Sequence, residues 1–300
     1  MTQNFYAAPP TAAGTIQVIE ELRKKYKRLK VFPIGRSVLG RQIPALCIGN
    51  PMGATLFVGA THGLEWITTL LLIRFCEILL KNLETGGKVS DIDVRKALNG
   101  RSLVIVPCLN PDGVEISLSG KPGAGRMGDS VENICKGDYL LWQANANGVD
   151  INHNFDAGWC VLQKMEIEAG VTGPSPTRYG GPHPNSEPET RAITTFCLTY
   201  QPRTLYSFHS QGEEIYYKYG EHTPTRSRLM AQILAASSGY VPSTPVELAS
   251  HGGLKDWFID KFHRPGFTIE VGLGKNPLPV EMFAKIYQEI EEMLIIATLL

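Results

Sequence analysis

The chain has 300 residues, with 29 lysines plus arginines balanced by 29 aspartates plus glutamates. That length can bury a large core without staples, and a net charge of zero argues against a dedicated nucleic-acid binder. Cys47, Cys76, Cys108, Cys135, Cys160 and Cys197 form no CxxC, and several sit in apolar runs. Buried free thiols are expected rather than a disulfide framework. The opening stretch MTQNFYAAPPTAAG shows no secretory pattern. The longest apolar tract, Met293 to Leu300, is too short to span a bilayer. A soluble, cytoplasmic protein is the expectation, with no membrane span and no nucleic-acid partner.

Taken in chain order, residues 16–30 predict a helix, with Ile16, Val18, Ile19 and Leu22 on one face. Its basic run, Arg23 to Arg28, reads as a solvated surface. Val31 to Asn50 predicts a hairpin turning at Val38-Leu39-Gly40. A buried strand (55–60), a helix (66–83) and a second buried strand (Leu103 to Pro107) follow in β-α-β order. Residues 115–140 and 157–184 read as long irregular loops, of the kind that wall a site. Ser186 and Glu189 match a capping box starting a helix to about Leu198. Leu205 to Phe208 and Phe267 to Val271 read as strands, and Val280 to Leu300 as a closing helix. The expected fold is an α/β sandwich with a mixed sheet, residues 1–300 forming one unit.

Two motifs carry chemistry on their face. Gly123 to Gly128 matches GxGxxG, but Ser119 to Pro122 before it is turn-forming, so the dinucleotide reading fails for want of a strand. His62-Gly63-Leu64-Glu65 stands at the exit of the 55–60 strand. HxxE alone is a weak motif, since a histidine is more often an ordinary loop or core residue than a ligand. His209 also ends a short apolar strand, where open α/β sheets place their sites. His62, Glu65 and His209 together would make a His₂Glu zinc site of the hydrolytic type, with the fourth position left to water. His183, His222, His251 and His263 read as ordinary polar residues.

The order of the remaining parts changes the weight of that set. HxxE is followed by Gly148-Val149-Asp150-Ile151-Asn152-His153-Asn154-Phe155, then His209, then Phe267-Thr268-Ile269-Glu270-Val271-Gly272, with Asn110-Pro111-Asp112-Gly113 between. Over nearly its whole length the chain resembles the M14 zinc carboxypeptidases. The segments 142–159, 209–213 and 252–258 look like one branch, the bacterial γ-D-glutamyl-meso-diaminopimelate peptidases. The resemblance implies a zinc-carboxypeptidase-like α/β/α sandwich with a mostly parallel sheet. It also implies one Zn²⁺ per chain on His62, Glu65 and His209, Glu270 as general base and acid, and Asp150 orienting the first zinc histidine. The implied substrate is the γ-D-glutamyl–meso-diaminopimelate bond of a murein peptide. With no signal sequence visible, imported fragments in the cytosol or a sporulation-linked compartment fit that role.

The chain departs from the family's pattern at three places. The arginine that grips a terminal carboxylate is His153, beside Asn152, and imidazole lacks the bidentate fork. The arginine that stabilises the oxyanion is Gln143, which donates without charge. No tyrosine stands in Glu247 to His251, where the family has one. Asn152, His153 and a loop arginine, Arg178, are the expected substrate contacts; Arg126 and Arg226 are other candidates to replace the missing cations. Two rival readings remain: a generic metallocarboxypeptidase or amidase, and a non-catalytic peptide-binding protein that kept the fold.

Overall fold

The computed structural model describes residues 5–244 and 251–300; the Glu247 to Ser250 stretch lies outside them. Helix α1 (Ala12–Lys25) opens on Thr11, whose hydroxyl accepts the Gly14 N–H, and buries Val18, Ile19 and Leu22. It starts earlier and ends earlier than the periodicity predicts, because Leu29 and Lys30 already belong to a strand. Strands β1 (Leu29–Arg36) and β2 (Gln42–Ile48) form the expected antiparallel hairpin. Its turn is closed by Ser37 N–H on Arg41 O and Gly40 N–H on Ser37 O. Next come β3 (Thr55–Val58), α2 (Ile67–Thr85), a small hairpin of β4 (Lys88–Val89) and β5 (Ile92–Asp93), a short α3 (Val94–Ala97), and β6 (Leu103–Val106). The β3-α2-β6 crossover is the predicted unit, and its two strands pair in parallel.

The second half is richer in helix than its sequence suggests. Most of residues 115–140 is not irregular: α4 (Pro111–Ser119), a 3₁₀ segment (Lys121–Met127) and α5 (Gly128–Cys135) occupy it as far as Cys135, and turns follow. They bury Ile116, Ala124, Val131 and Trp142 in a satellite core of their own. The GxGxxG stretch follows a helix there, not a strand, as its turn chemistry indicates. The 157–184 loop likewise contains α6 (Trp159–Glu168). Helix α7 (Pro188–Tyr200) has Glu187 rather than Ser186 at its N-cap and no capping box. The Ser186 hydroxyl donates to Glu187, and the Glu189 carboxylate instead accepts from Val38 N–H and Asn145. Tertiary partners there outcompete the local cap.

Strand β7 (Thr204–His209) and strand β10 (Gly266–Glu270) match their predicted positions. Between them lie β8 (Glu214–Tyr216), α8 (Arg226–Ser238), β9 (Val241–Ser243) and α9 (Leu254–Phe262), none of which the sequence announced. Helix α10 (Phe283–Leu299) closes the chain after a 3₁₀ turn at Val280–Met282. The eight-stranded sheet has the order β1-β2-β6-β3-β7-β10-β8-β9, parallel from β6 through β10 and antiparallel at β1-β2-β6 and β10-β8.

Strand alternation then sorts the core into two layers. Phe57, Ile105, Tyr206 and Phe267 face α1, α2, α8 and α10; Leu56, Val104, Val106 and Leu205 face α7 and α9. This is an α/β/α sandwich with a mixed, mostly parallel sheet. All six cysteines are free, and only Cys160 is exposed. Among the described residues no helix is long and apolar enough to cross a membrane.

Candidate active site

The parallel strands β3, β7 and β10 lie side by side, so their C-terminal ends open on one edge of the sheet. His209 and Glu270 are register partners at that edge, and Val58, four residues before His62, pairs with Ser207. The turn carrying His62 and Glu65 is a 3₁₀ helix (Gly63–Glu65) pressed against α4. A Cβ on Gly63 would lie 2.4 Å from the Gly113 backbone, so only glycine lets the two segments meet this closely. Ser117 donates to Gly63 O, and the Thr68 hydroxyl to Glu65 O, which fixes the turn on both sides.

Three side chains converge there. His62 Nδ1 is 2.9 Å from Glu65 Oε1, His209 Nδ1 is 3.0 Å from Glu65 Oε2, and the two Nδ1 atoms are 3.3 Å apart. Among the described residues this is the only group of three or more His, Cys, Asp or Glu side chains close enough to share a metal ion. The far nitrogen of each ring is engaged: His62 Nε2 donates to Asp150 Oδ1 at 3.2 Å, and His209 Nε2 sits 3.1 Å from Ser207 Oγ. Holding the proton on Nε2 turns the Nδ1 lone pairs toward the common point, as metal ligation requires.

The charges agree with the geometry. Burial works against a charged His62, yet Glu65 and Asp150 hold its pKa well above the usual histidine range. Burial alone would raise the Glu65 carboxyl, but the two histidines bring it down to about 2. The pocket thus draws positive charge into a buried space, and a dication supplies it. These residues fit a zinc ion.

Around this centre the other expected residues fall in place unevenly. Asp150, almost fully buried, accepts from His62, from Asn152 N–H at 3.0 Å and, on its second oxygen, from Arg178 N–H at 3.0 Å. Glu270 is half-buried, and its carboxyl is pushed well above the usual range by burial and by the Glu65 and Glu214 charges, against His62. Gln143 is tied to the metal-site turn through its backbone: its carbonyl accepts from Gly63 N–H at 2.9 Å, and its N–H donates to Pro176 O. Its half-buried side-chain amide makes no hydrogen bond among the described residues.

Asn152 Oδ1 accepts from Leu254 N–H at 3.1 Å. His153 does not present its Nδ1 to a substrate. That atom donates to Glu166 at 2.8 Å and Arg178 O at 2.9 Å in a buried pocket, leaving Nε2 as its one remaining nitrogen. The Arg178 side chain is exposed, while its backbone bridges Asp150 and His153 from a left-handed φ of 69°. Arg126 is turned away onto Val38 O. Glu166, which holds both His153 and Gly180 N–H, carried no sequence signal; it lies in a segment expected to be loop.

A family model described as zinc carboxypeptidase, Peptidase_M14, matches residues 15–293. The chain belongs to the M14 zinc carboxypeptidase family. The γ-D-glutamyl-L-diamino acid endopeptidase 1 of Lysinibacillus sphaericus is 34% identical over 273 residues, covering 90% of this chain and 67% of that one. The uncharacterized protein YqgT of Bacillus subtilis (strain 168) is 34% identical over 271 residues, covering 87% and 71%. Thrombin activatable fibrinolysis inhibitor shares the fold at 20% identity, with a TM-score of 0.76 over 98% of this chain and 76% of that one. As an M14 member the chain is a hydrolase, a metallopeptidase that uses Zn²⁺, and its His-Glu-His cluster fits that metal.

Proposed function

We propose that this M14 peptidase hydrolyses the γ-D-glutamyl–meso-diaminopimelate bond of peptidoglycan stem peptides. The observation that carries the reading is the convergence of His62, Glu65 and His209 beside Glu270, in a chain 34% identical to a γ-D-glutamyl-L-diamino acid endopeptidase over 90% of its length. His62, Glu65 and His209 are the residues that would hold the ion. Bound there, zinc would polarise the scissile carbonyl and make water a better nucleophile.

The chain's own groups do the rest. Glu270, half-buried at the end of β10, takes the proton from the attacking water and returns it to the leaving amine. Its raised pKa keeps it basic enough to hold that proton between the two events. The Gln143 amide donates to the oxygen that gains negative charge, in place of a guanidinium. Asp150 keeps His62 in the tautomer that leaves Nδ1 free. Asn152 and the exposed Arg178 side chain contact the substrate at the rim. His153, buried and bonded to Glu166, supports this wall and adds at most Nε2 to it. A pocket built this way lacks the buried guanidinium fork that favours a terminal α-carboxylate, which supports the γ-glutamyl reading over a simple carboxypeptidase.

Mass spectrometry of L-alanyl-γ-D-glutamyl-diaminopimelate after incubation with the zinc-loaded protein tests this. Free diaminopimelate and L-alanyl-D-glutamate are the expected products. An intact tripeptide, alongside release of ordinary α-linked C-terminal residues from other peptides, would restore the generic carboxypeptidase.

A further inference from the structure

Three buried polar atoms without a hydrogen-bond partner belong to one short stretch of chain: Arg203 Nη2, Thr204 Oγ1 and the Tyr206 hydroxyl. Thr204 and Tyr206 are 0% and 1% exposed. Two residues apart on β7, they project from the same face of the sheet, the one that carries Phe57 and Phe267. Thr55, at the start of the neighbouring β3, is the register partner of Thr204 on one side and of Leu103 on the other. Its hydroxyl accepts from Arg203 Nε at 3.3 Å, so the guanidinium reaches back across the strand ends.

A buried guanidinium N–H without an acceptor costs free energy, and so does each orphaned hydroxyl. No anion offsets that cost. Burial lowers the Arg203 pKa, and the charge of Arg101, two residues before Leu103, lowers it further. Tyr206 stays a neutral phenol, because burial pushes its pKa up even against the charges of Arg203 and Arg226. The arginines that form ion pairs among the described residues are Arg23, Arg41 and Arg74. The N-terminal ends of β6, β3 and β7 thus gather like-charged guanidinium groups and hydroxyls that can donate, with no carboxylate to receive them. Arg101 and Arg203 are half-buried, so the place is reached from solvent.

We infer that Arg101, Arg203 and the hydroxyls of Thr204 and Tyr206 bind a tetrahedral oxyanion, phosphate, at this edge of the sheet. A guanidinium matches phosphate by pairing two N–H groups with two of its oxygens. The remaining oxygens take the hydroxyl protons. A carboxylate has only two oxygens and would leave donors unpaired. Thr204 and His209 are the two ends of β7, which puts the anion about 16 Å from the metal centre at the usual strand rise. The site is separate from the proposed reaction and does not rest on it.

Calorimetric titration of the zinc-loaded protein with inorganic phosphate, glycerol phosphate and acetate tests this. Phosphate should bind, and acetate should bind at least ~10-fold more weakly. Thr204→Val keeps the shape and removes one hydroxyl. It and Arg203→Met should each weaken phosphate binding by about 10- to 100-fold. The His62→Ala, His209→Ala double variant should retain one phosphate per chain, which separates this site from phosphate held on zinc. Tighter binding of glycerol phosphate would mark the natural anion as one carried on a larger molecule, and tighter binding of inorganic phosphate as the free ion. No phosphate binding to the wild type, equal binding of acetate, or binding lost with the metal ligands but kept in Arg203→Met and Thr204→Val, would overturn the site. The wild-type and double-variant titrations decide the matter even if Arg203→Met fails to fold.

Discussion

Replacing Asp150 by asparagine keeps the shape of the side chain and removes one acceptor and the charge. The carboxylate now satisfies three donors: His62 Nε2 and Asn152 N–H on Oδ1, and Arg178 N–H on Oδ2. An amide has one oxygen. If that oxygen stays with His62 and Asn152, the new NH₂ faces the Arg178 N–H, and a buried donor loses its partner at a cost of about 1–3 kcal/mol. The loop that carries Arg178 and braces His153 should loosen with it. At the metal, loss of the carboxylate behind His62 should weaken zinc binding by about 10- to 100-fold, or roughly 1.4–2.7 kcal/mol. Competition against a zinc-binding dye measures the loss of zinc affinity at constant pH, and denaturant unfolding of the zinc-free protein measures the cost of the unpaired Arg178 N–H. Unchanged zinc affinity in a folded Asp150→Asn protein would refute the idea that Asp150 orients His62.

Two other outcomes follow from the same structure. Glu270→Gln preserves volume and should retain zinc and peptide affinity, while turnover falls by ~10²-fold or more, the usual range for a lost general base; unchanged kcat would move that role elsewhere. Glu189 is fully buried between the β1–β2 turn and Asn145, and burial, aided by the Asp112 charge, pushes its carboxyl up to about 8 despite the hydrogen bonds it accepts. Because the folded form keeps a proton that the unfolded chain releases, this group should make stability fall as pH rises from about 4.5 to about 8, then level off. Unfolding free energies across that range should show the decline in the wild type and a flatter profile in Glu189→Gln; identical profiles would show that Glu189 ionises in the fold without penalty.

The parts of this molecule legible in the sequence are those where local pattern and tertiary demand agree. Leu56-Phe57-Val58 and Leu103 to Val106 are apolar on both sides because both faces of a central parallel strand are covered. His62, Glu65, His209 and Glu270 stand out because the ends of such strands are where polar residues become noticeable. Elements that depend on distant partners were not legible. The turns and helices of residues 121–135 bury a small core under Trp142, and glycines spaced through them hide the helical periodicity. Helix α6 begins after Gly158 in a left-handed conformation and has no side-chain cap to announce it. Glu166 carried no sequence signal, since burial of a charged side chain is set by what packs over it, not by its neighbours in sequence. His153 shows the same limit from the other side: its identity suggested a substrate contact, and nothing in the sequence announced that Glu166 and Arg178 O engage its Nδ1.

The central claim is that His62, Glu65 and His209 hold the one zinc ion on which hydrolysis depends. Titrating zinc into metal-free protein while following cleavage of γ-D-glutamyl–diaminopimelate tests it most directly. Activity should rise linearly and saturate at about one equivalent per chain, and a His62→Ala, His209→Ala double variant should neither bind that equivalent nor gain activity. Full activity in the metal-free protein, or one tightly bound zinc retained by the double variant, would contradict the account.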